Sequence, residues 1–199
     1  MLPVVFFALA CCGKPAAPPA PSFEWPPKLD QAYPDLELVD QTGATVRLSS
    51  FKGKVIIVEP VGMNCPACQA FAGGHRVGGF QGVTPQGGLE SFEEYAAKQG
   101  IAARDVVYVQ LLLYSMSMQA PSTDDARAWA AHFRMDRAKD RVVLAGTPGF
   151  IGTASYNMIP GFQLIDRKFV LRADSTGHNP RHNLWNYLLP MVPRLVKEP

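Results

Sequence analysis

The residues best suited to chemistry in this sequence form a Cys-x-x-Cys motif, Cys65-Pro66-Ala67-Cys68. Two thiols three positions apart at the start of a helix can form a disulfide with little rearrangement. The free N–H groups and the positive dipole end of a helix favour a thiolate there. Such surroundings lower a cysteine pKa from roughly 8.5 into the range of about 3.5–7.5. We therefore predict that Cys65 is the exposed nucleophile and Cys68 the resolving thiol of a redox-active pair.

An acidic residue precedes this motif. Glu59 lies six residues before Cys65, directly after the apolar residues 55–58. A carboxylate in that position is poorly solvated, and no Lys or Arg lies between Lys54 and Arg76 to offset the loss, so its pKa should be raised. This predicts a carboxyl group able to exchange a proton near neutral pH. The alternative is a strand-end glutamate turned toward solvent.

Several predicted elements position these groups. The β-branched run 55–58 predicts a strand buried on both faces, followed by a short turn and a helix that starts at Cys65. Alternation through residues 36–48 around Thr42-Gly43 predicts a β-hairpin. Further strands are predicted at 106–113, 142–144, 161–165 and 169–172. Helices are predicted at 89–99, at 123–134 with Thr123 as cap, at 182–196 with kinks at Pro190 and Pro193, and as one turn within 148–156.

A glycine-rich segment follows the motif. Residues 73–88 contain repeated glycines, which favour irregular structure over a regular helix. We predict that this segment is an insertion beside the CxxC helix start.

Residues 36–171 resemble the thioredoxin fold of the TlpA/ResA-like branch, the membrane-tethered extracytoplasmic thiol-disulfide oxidoreductases. The matching stretches are residues 36–48, residues 51–58, the Cys-Pro-Ala-Cys motif and residues 159–166. The resemblance implies an α/β, thioredoxin-like fold with a central mixed β-sheet flanked by helices. The N-terminal β-hairpin and the glycine-rich insertion would be additions to that frame.

The resemblance also implies roles for individual residues. Glu59 would move the proton of Cys68. Pro160 would be a cis proline packed against the CxxC motif, and the backbone of Ile159 would pair with the substrate. The residue after this proline, Gly161, departs from the Thr that is common in the family.

Other groove contacts are expected from sequence proximity. Pro66 and Ala67 lie between the two cysteines. Met63 lies two residues before Cys65, and Met158 lies two residues before Pro160, so both are expected to line the rim of the same groove. We therefore count Pro66, Ala67, Ile159, Pro160 and Met63 as substrate-binding residues.

The N-terminal segment has the features of an export and lipidation signal. Residues 1–12 are apolar and resemble a secretory signal that ends in a lipobox, with Cys11 or Cys12 as the lipidated residue. Residues 13–33 are rich in Pro and Ala, which predicts an extended tether, and residues 34–199 form the thioredoxin-like domain. The predicted location is extracytoplasmic, with a lipid anchor in a membrane. An unprocessed hydrophobic N-terminus is the alternative.

Composition excludes several other classes. The 199 residues are 47% apolar and carry a net charge of +2, with no basic run, which argues against nucleic-acid binding. The four cysteines fall into two close pairs, so they form neither a multi-disulfide scaffold nor a four-cysteine zinc site. No cofactor and no metal are predicted.

Two other functions use the same thiols. A copper-binding assembly factor would combine them with thioether or imidazole groups; the candidates are Met63, Met116, Met118, Met158, His75 and the His178/His182 pair. That family typically spaces its cysteines CxxxC, which counts against this alternative. A thiol peroxidase is the third possibility, but its signature Pro and Thr/Ser ahead of the reactive cysteine are missing from the sequence.

The leading prediction is a membrane-tethered thiol-disulfide oxidoreductase. Its partners would be protein thiols or disulfides as substrates and a redox partner protein. The resemblance implies that it acts as a reductant in cytochrome c or oxidase maturation.

Overall fold

The central sheet has seven strands in a computed structural model that describes residues 24–198. They are β1 (Glu37–Asp40), β2 (Thr45–Arg47), β3 (Val55–Gly62), β4 (Val106–Tyr114), β5 (Arg141–Ala145), β6 (Gly161–Ile165) and β7 (Leu171–Thr176). Their order across the sheet is β2-β1-β5-β4-β3-β6-β7. Strands β3, β4 and β5 run parallel, and the other neighbours pair antiparallel. The predicted mixed sheet is confirmed.

The three parallel strands are buried along their whole length. Continuous runs of Val, Ile and Leu are typical of strands that are covered on both faces. β3 is longer than predicted, because it continues through Glu59 and Pro60 to Gly62. Strand β6 pairs with β3 only at residues 56–58, so that side of β3 is an edge at Pro60, where a proline is tolerated. Glu59 therefore lies inside the strand and not at its end.

The predicted N-terminal hairpin joins β1 to β2. The Asp40 carboxylate accepts the N–H groups of Thr42 and Ala44 at 2.8 and 3.2 Å. Gly43 has a φ of +90°, which glycine adopts without strain. This turn chemistry fixes the register Leu38 to Val46.

In the described part of the chain, six helices accompany the sheet: α1 (Pro66–Phe71), α2 (Gly74–Val77), α3 (Phe92–Lys98), α4 (Thr123–Phe133), α5 (Thr153–Tyr156) and α6 (Leu189–Lys197). Single 3-10 turns lie at Leu48–Phe51, Phe80–Gly82, Ala103–Asp105, Arg137–Lys139 and Pro148–Phe150. The longest helix, α4, packs against β5 and β1. Within residues 24–198, no helix combines the length and the apolar content needed to cross a bilayer.

Two helix starts differ from the sequence prediction. The cap of α4 is Ser122 and not Thr123, because the Ser122 hydroxyl accepts the N–H of Asp125 at 3.1 Å and the Asp125 carboxylate accepts the Ser122 N–H at 2.8 Å. The reciprocal arrangement is a capping box. α3 begins after Ser91 and not at residue 89, because Ser91 forms the same box with Glu94.

The glycine-rich segment is more regular than predicted. It contains α2 and the turn Phe80–Gly82, so the expectation of no regular helix there is wrong. Close packing explains the glycine at Gly79, since a Cβ atom there would lie 1.6 Å from the Val83 carbonyl oxygen. The Gln86 N–H donates to the Pro66 carbonyl at 2.9 Å and ties the end of the segment to α1.

The C-terminal helix starts later than predicted. The Asn183 side chain accepts the N–H groups of Trp185 and Asn186 at 3.0 and 2.9 Å, which ends the preceding loop. One π turn, Leu184–Leu188, then leads into α6, and Pro193 lies inside that helix. Pro190 lies in the first turn of α6, where a proline is tolerated, so of the two predicted kink positions only Pro193 lies inside the helix.

Candidate active site

Cys65 and Cys68 lie where β3 passes into α1. The Cys65 N–H donates to the Gly62 carbonyl at 2.9 Å, and the Met63 N–H donates to the Tyr114 carbonyl on β4 at 2.9 Å. Pro66 occupies the first position of α1, where its missing N–H leaves no bond unmade. As a result Cys65 is half-buried at the helix start, whereas Cys68, one turn later, is fully buried.

The surroundings of Cys65 favour its thiolate. The hydrogen bond from the Cys68 thiol lowers the pKa of Cys65 from 9.0 to about 6, against the opposing effect of partial burial. The backbone N–H groups of Cys68 and Ala67 and the charge of His178 act in the same direction as the Cys68 thiol. At neutral pH the sulfur of Cys65 is therefore mostly in the thiolate form, which is the nucleophile.

The surroundings of Cys68 have the opposite effect. Burial raises the pKa of the Cys68 thiol well above its usual value, and the hydrogen bond to Cys65 and the charges of Cys65 and Glu59 add to this. Its Sγ atom lies 3.9 Å from the Pro60 carbonyl oxygen. Cys68 thus holds its proton while Cys65 is a thiolate.

Glu59 lies behind this pair, and the burial expected for it is observed at 0% exposure. Burial raises the pKa of Glu59 to about 8 even though hydrogen bonds from Tyr108 and Gln110 lower it; the charge of Cys65 raises it further. Both donors reach Oε2, and the Gln110 amide does so at 2.8 Å. The alternative of a solvent-facing glutamate is wrong. At neutral pH Glu59 is mainly a neutral acid.

A groove of about 300 Å³ lies in front of Cys65. Pro66, Ile159, Pro160 and His178 contribute to its walls. The peptide bond between Ile159 and Pro160 is cis, as the resemblance implied. These elements bring the reactive thiol and the proline loop to one surface.

The residue after the cis proline is fitted to its strand. Gly161 has a φ of +142°, and a Cβ atom there would lie 2.1 Å from the Ser175 carbonyl oxygen on β7. The close approach of β7 therefore requires glycine here and explains the departure from Thr.

Three residues expected at the groove do not line it. Met63 and Met158 are buried at 0% and 4% exposure, and Ala67 is buried at 5%. Met63 is drawn inward because its backbone is bonded to β4, and Ala67 lies on the inner face of α1. The prediction that Met63 and Ala67 contact a substrate with their side chains is corrected accordingly.

Other side chains take the place of those residues. Tyr114, Tyr156 and Met118 line the groove, and the Asn64 amide lies 3.1 Å from the Met118 sulfur. Sequence reasoning did not select the two tyrosines. Tyr114 is the last residue of a buried strand, and its hydroxyl at the end of an apolar run is a sequence signal that could have indicated a site. Tyr156 lies in a one-turn helix, where no sequence pattern indicates it.

The histidines separate clearly by position. His178 lines the groove beside Cys65. His182 accepts the Asp174 N–H at 3.1 Å and stacks on Tyr187 at 4.3 Å between ring centroids. His75, a candidate ligand in the copper alternative, lies away from this groove: its Nε2 contacts the Gln86 carbonyl at 2.8 Å, and it lines a different cavity. Within residues 24–198 no three His, Cys, Asp or Glu side chains group to hold a metal.

The buried side chain of Gln69 holds the turn before Cys65 in place through hydrogen bonds. Its amide nitrogen donates to the Met63 carbonyl at 2.6 Å, and its oxygen accepts the Phe80 N–H at 2.5 Å. One buried side chain therefore connects the turn before Cys65 with the glycine-rich segment. The sequence offered no sign of this contact. The candidate lipidation residues Cys11 and Cys12 lie outside the described residues.

Neither a protein-family model nor a curated protein matches the sequence. Among solved structures, BsSco, a member of the Sco family of cytochrome c oxidase assembly proteins, aligns at 14% identity over 86% of this chain and 96% of its own, with a TM-score of 0.54. A SCO1/SenC family lipoprotein from Bacillus anthracis aligns at 15% identity over 85% and 97%, with a TM-score of 0.53.

A third solved structure comes from a named thiol-disulfide oxidoreductase. Its thioredoxin domain, from Bacteroides vulgatus, aligns at 14% identity over 83% of this chain and 98% of its own, with a TM-score of 0.50. Similarity at this level of identity establishes the fold. The chain has an α/β, thioredoxin-like fold, as the resemblance implied.

Proposed function

We propose that the chain is an extracytoplasmic, membrane-tethered thiol-disulfide oxidoreductase that exchanges disulfides with protein substrates through Cys65 and Cys68. One observation carries this proposal. A half-buried thiol with a pKa of about 6 faces a groove, and a fully buried thiol with a raised pKa lies one helical turn behind it. This division of properties suits a nucleophile and a resolving thiol.

The first step uses the thiolate of Cys65. Its sulfur attacks one sulfur of a substrate disulfide, the substrate S–S bond breaks, and the released substrate thiolate takes a proton from solvent. The product is a mixed disulfide between Cys65 and the substrate. The negative charge of Cys65 is lost in this step, and with it one of the causes that raise the pKa of Glu59.

The second step uses Cys68 and Glu59. As the pKa of Glu59 falls, its carboxylate form can take the proton of Cys68, and the Cys68 thiolate then attacks the sulfur of Cys65. The mixed disulfide breaks, the Cys65–Cys68 disulfide forms, and the released substrate thiolate takes a proton from solvent, while the proton of Cys68 stays on Glu59. The substrate gains two electrons, and a dithiol of a redox partner protein must return them. The same steps run in reverse when the substrate is a dithiol.

The groove supports a protein substrate. Cys65 lies beside the cis proline loop, with Tyr114, Tyr156 and Met118 as apolar walls. None of the residues that line the described groove is Asp, Glu, Lys or Arg. We infer that a substrate binds through its backbone and through uncharged side chains next to its cysteine.

The tether is part of the proposal. It rests on the lipobox-like residues around Cys11 and Cys12 and on the Pro/Ala-rich residues 13–33. The similarity to a solved SCO1/SenC family lipoprotein supports it. Fractionation of cells that express the chain should place it in membranes, and a double Cys11→Ala, Cys12→Ala variant should be released. Equal release of both proteins would overturn the tether.

The central experiment is a redox titration of the Cys65/Cys68 couple together with an insulin-disulfide reduction assay. We expect one two-electron transition and catalytic turnover with dithiothreitol as the electron source. A dithiol that neither cycles nor reduces insulin or a protein disulfide would overturn the proposed function.

A copper-binding assembly factor is the second candidate. The observation in its favour is that His178 lies beside Cys65 in the same groove, with the thioether of Met118 on the wall. Thiolate, imidazole and thioether groups suit Cu(I). Competition with a chromophoric Cu(I) chelator distinguishes the two candidates. Tight binding that His178→Ala weakens supports copper handling, and weak binding unaffected by that change supports disulfide exchange alone.

A further inference from the structure

A buried chain of polar groups lies behind Glu59 and uses residues from β3, β4 and α4. Glu59, Gln110 and Trp129 are each 0% exposed, and Tyr108 is 1% exposed. The pairing of β3 with β4 sets Glu59 opposite Gln110 in register. Buried polar groups are normally fully bonded, so each contact in this chain constrains the next.

Trp129 fixes the orientation of the Gln110 amide. An indole N–H can only donate, so it requires the oxygen of the amide. It reaches Gln110 Oε1 at 2.9 Å. The amide nitrogen is thereby turned toward the carboxyl group, and it donates to Glu59 Oε2 at 2.8 Å. The same nitrogen lies 3.1 Å from the Tyr108 hydroxyl.

Tyr108 is the second hydrogen-bond donor to the Oε2 atom of Glu59. Its hydroxyl donates to Glu59 Oε2, the oxygen that Gln110 already bonds. Oε2 therefore has two donors. The other oxygen, Oε1, is buried without a hydrogen-bond partner among the described residues. A proton on Glu59 has its place on Oε1, because both acceptor positions of Oε2 are taken.

We propose that Tyr108, Gln110 and Trp129 are positioning residues for proton transfer by Glu59. They hold Oε2 as a fixed acceptor and keep Oε1 as the oxygen that gains and loses the proton of Cys68. Trp129 acts through Gln110, and neither it nor Gln110 touches the thiols. The kinetic consequence rests on the proposed function, whereas the placement of the proton on Glu59 does not.

Few charged or titratable groups face Glu59. The charge of Cys65 acts on it from the start of α1 and the Tyr108 hydroxyl acts on it from β4, and Glu59 in turn acts on Cys68. Glu93 on α3 acts on Tyr108 and not on Glu59 directly. The donors Tyr108 and Gln110 stabilise the carboxylate form of Glu59, so the loss of either must raise the pH at which Glu59 ionises.

Two conservative variants test the proposal. Tyr108→Phe removes the hydroxyl and keeps the ring that packs on Phe92 and Phe162 at centroid distances of 4.9 and 6.2 Å. Trp129→Phe removes the indole N–H and frees the Gln110 amide to turn. If one variant does not fold, the other still decides the question.

The chain contains matched controls for both variants. Tyr33 is a buried tyrosine whose hydroxyl donates to a glutamine oxygen, Gln163 Oε1, at 2.8 Å, away from the thiols. Trp25 donates its indole N–H to the Ser155 hydroxyl at 2.8 Å. Tyr33→Phe and Trp25→Phe therefore lose the same kind of bond without touching the Glu59 network.

The first readout is a carboxyl titration by NMR of the reduced protein labelled at the glutamate side-chain carbon, with Glu59→Gln to assign the signal. We expect the Glu59 midpoint to rise by about one pH unit in Tyr108→Phe and by less in Trp129→Phe, while both controls match the unchanged protein. A midpoint in both variants that equals that of the controls would overturn the proposal.

The second readout is the rate at which the mixed disulfide resolves, measured against pH by rapid mixing. In the unchanged protein the resolution rate should rise with pH, and we expect the midpoint of that rise to lie at higher pH in the two variants. The rate of the first attack by Cys65 should stay unchanged. If the unchanged protein performs no exchange, the proposed function fails, and the carboxyl titration still decides the positioning roles. Equal pH profiles in variants and controls would overturn the kinetic part.

Discussion

The two sides of the CxxC motif differ in the chemistry of their side chains. In front of Cys65 lies an open groove with apolar and aromatic walls and no Asp, Glu, Lys or Arg among its described lining residues. Behind Cys68 lies a closed network in which Trp129, Gln110, Tyr108 and Glu59 are joined by hydrogen bonds. The first surface can accept different protein segments, whereas the second has one arrangement. Under the proposed function, the groove would accept varied substrate segments, whereas the network would hold one geometry for proton transfer.

Electrostatics follow the same division. Cys65 and Cys68 are three residues apart, yet the pKa of one is lowered to about 6 and that of the other is raised well above its usual value. Cys65 is at a helix start with hydrogen-bond donors around its sulfur, and Cys68 is enclosed beside a buried carboxyl group. Position along a single helical turn is enough to shift the pKa values of two identical side chains in opposite directions.

The largest expected effect comes from removing the thiols themselves. Cys65→Ser should abolish insulin reduction, because a hydroxyl is not ionised at neutral pH and cannot attack a disulfide. Cys68→Ser should retain the first attack and accumulate mixed disulfides with substrate, since resolution is lost. Non-reducing gel electrophoresis of each variant after incubation with substrate checks both. Turnover by Cys68→Ser at the unchanged rate would refute the division of roles.

Glu59→Gln tests the buried side at its centre. Resolution of the mixed disulfide should slow by at least roughly tenfold, the low end of general acid–base effects, while the first attack is largely unaffected. Stopped-flow kinetics with a fluorescent disulfide separate the two steps. Identical resolution rates and pH profiles in both proteins would reduce Glu59 to a structural residue.

The same variant has a consequence for stability. The pKa of Glu59 is raised from 4.5 to about 8 in the folded state, so the folded protein binds more protons than the unfolded chain between these values. The contribution of Glu59 to stability is complete below about pH 4.5 and is lost as pH rises through about 8. Denaturant titrations of the unchanged protein should show this decline, and Glu59→Gln should flatten it.

The sequence predicts the front of the site better than the back. The buried run at 55–58, the turn and the CxxC motif are local patterns, and the cis proline follows from the resemblance. The network behind Glu59 depends on the register of β3 with β4, about fifty residues apart, and no local pattern encodes that register. One sequence signal does point to this network: Gln110 is polar within the apolar run 106–113, and a buried amide needs a hydrogen-bond partner.

Groove residues that lie outside the long strands and helices were predicted least well. His178 and Tyr156 reach the groove from segments without periodicity, and Met63 points away from it because its backbone is bonded to β4. Sequence proximity to Cys65 was therefore a poor guide to contact with the groove. Ala67, within α1, and Met63, in the turn before it, are both close to Cys65 in sequence and both buried away from the groove.

A stability measurement tests how the glycine-rich segment packs against Trp129 of the buried network. Phe80, which packs on Trp129 at 5.5 Å between ring centroids, follows Gly79. Gly79→Ala should lower the free energy of unfolding by about 1–3 kcal/mol, because the added Cβ would lie 1.6 Å from the Val83 carbonyl oxygen. Gly87→Ala is the control, since nothing lies within 4 Å of a Cβ there. Equal unfolding midpoints would mean that the segment adjusts freely.

The front of the site should respond more weakly to single changes. Tyr156 and Ile151 are both exposed, at 55% and 42%, but only Tyr156 lines the groove. Tyr156→Ala should raise KM for a protein disulfide by about fivefold with kcat little changed, the equivalent of about 1 kcal/mol of binding. Ile151→Ala should leave KM unchanged. Steady-state kinetics decide this, and equal KM values for the two variants would contradict a role for the groove wall.

The smallest expected effect concerns His178. Its charge is the last of the favourable causes that lower the pKa of Cys65, behind the Cys68 thiol and two backbone N–H groups. Because His178 is exposed, solvent screens this interaction, so His178→Asn should raise the pKa of Cys65 by less than about one pH unit. The rate of alkylation by iodoacetamide against pH measures that midpoint. His75→Asn is the control, since His75 contacts the Gln86 carbonyl away from the groove, and it should leave the midpoint at about 6. A shift in His75→Asn as large as that in His178→Asn would mean that the thiolate responds to the net charge of the protein and not to the imidazole beside it.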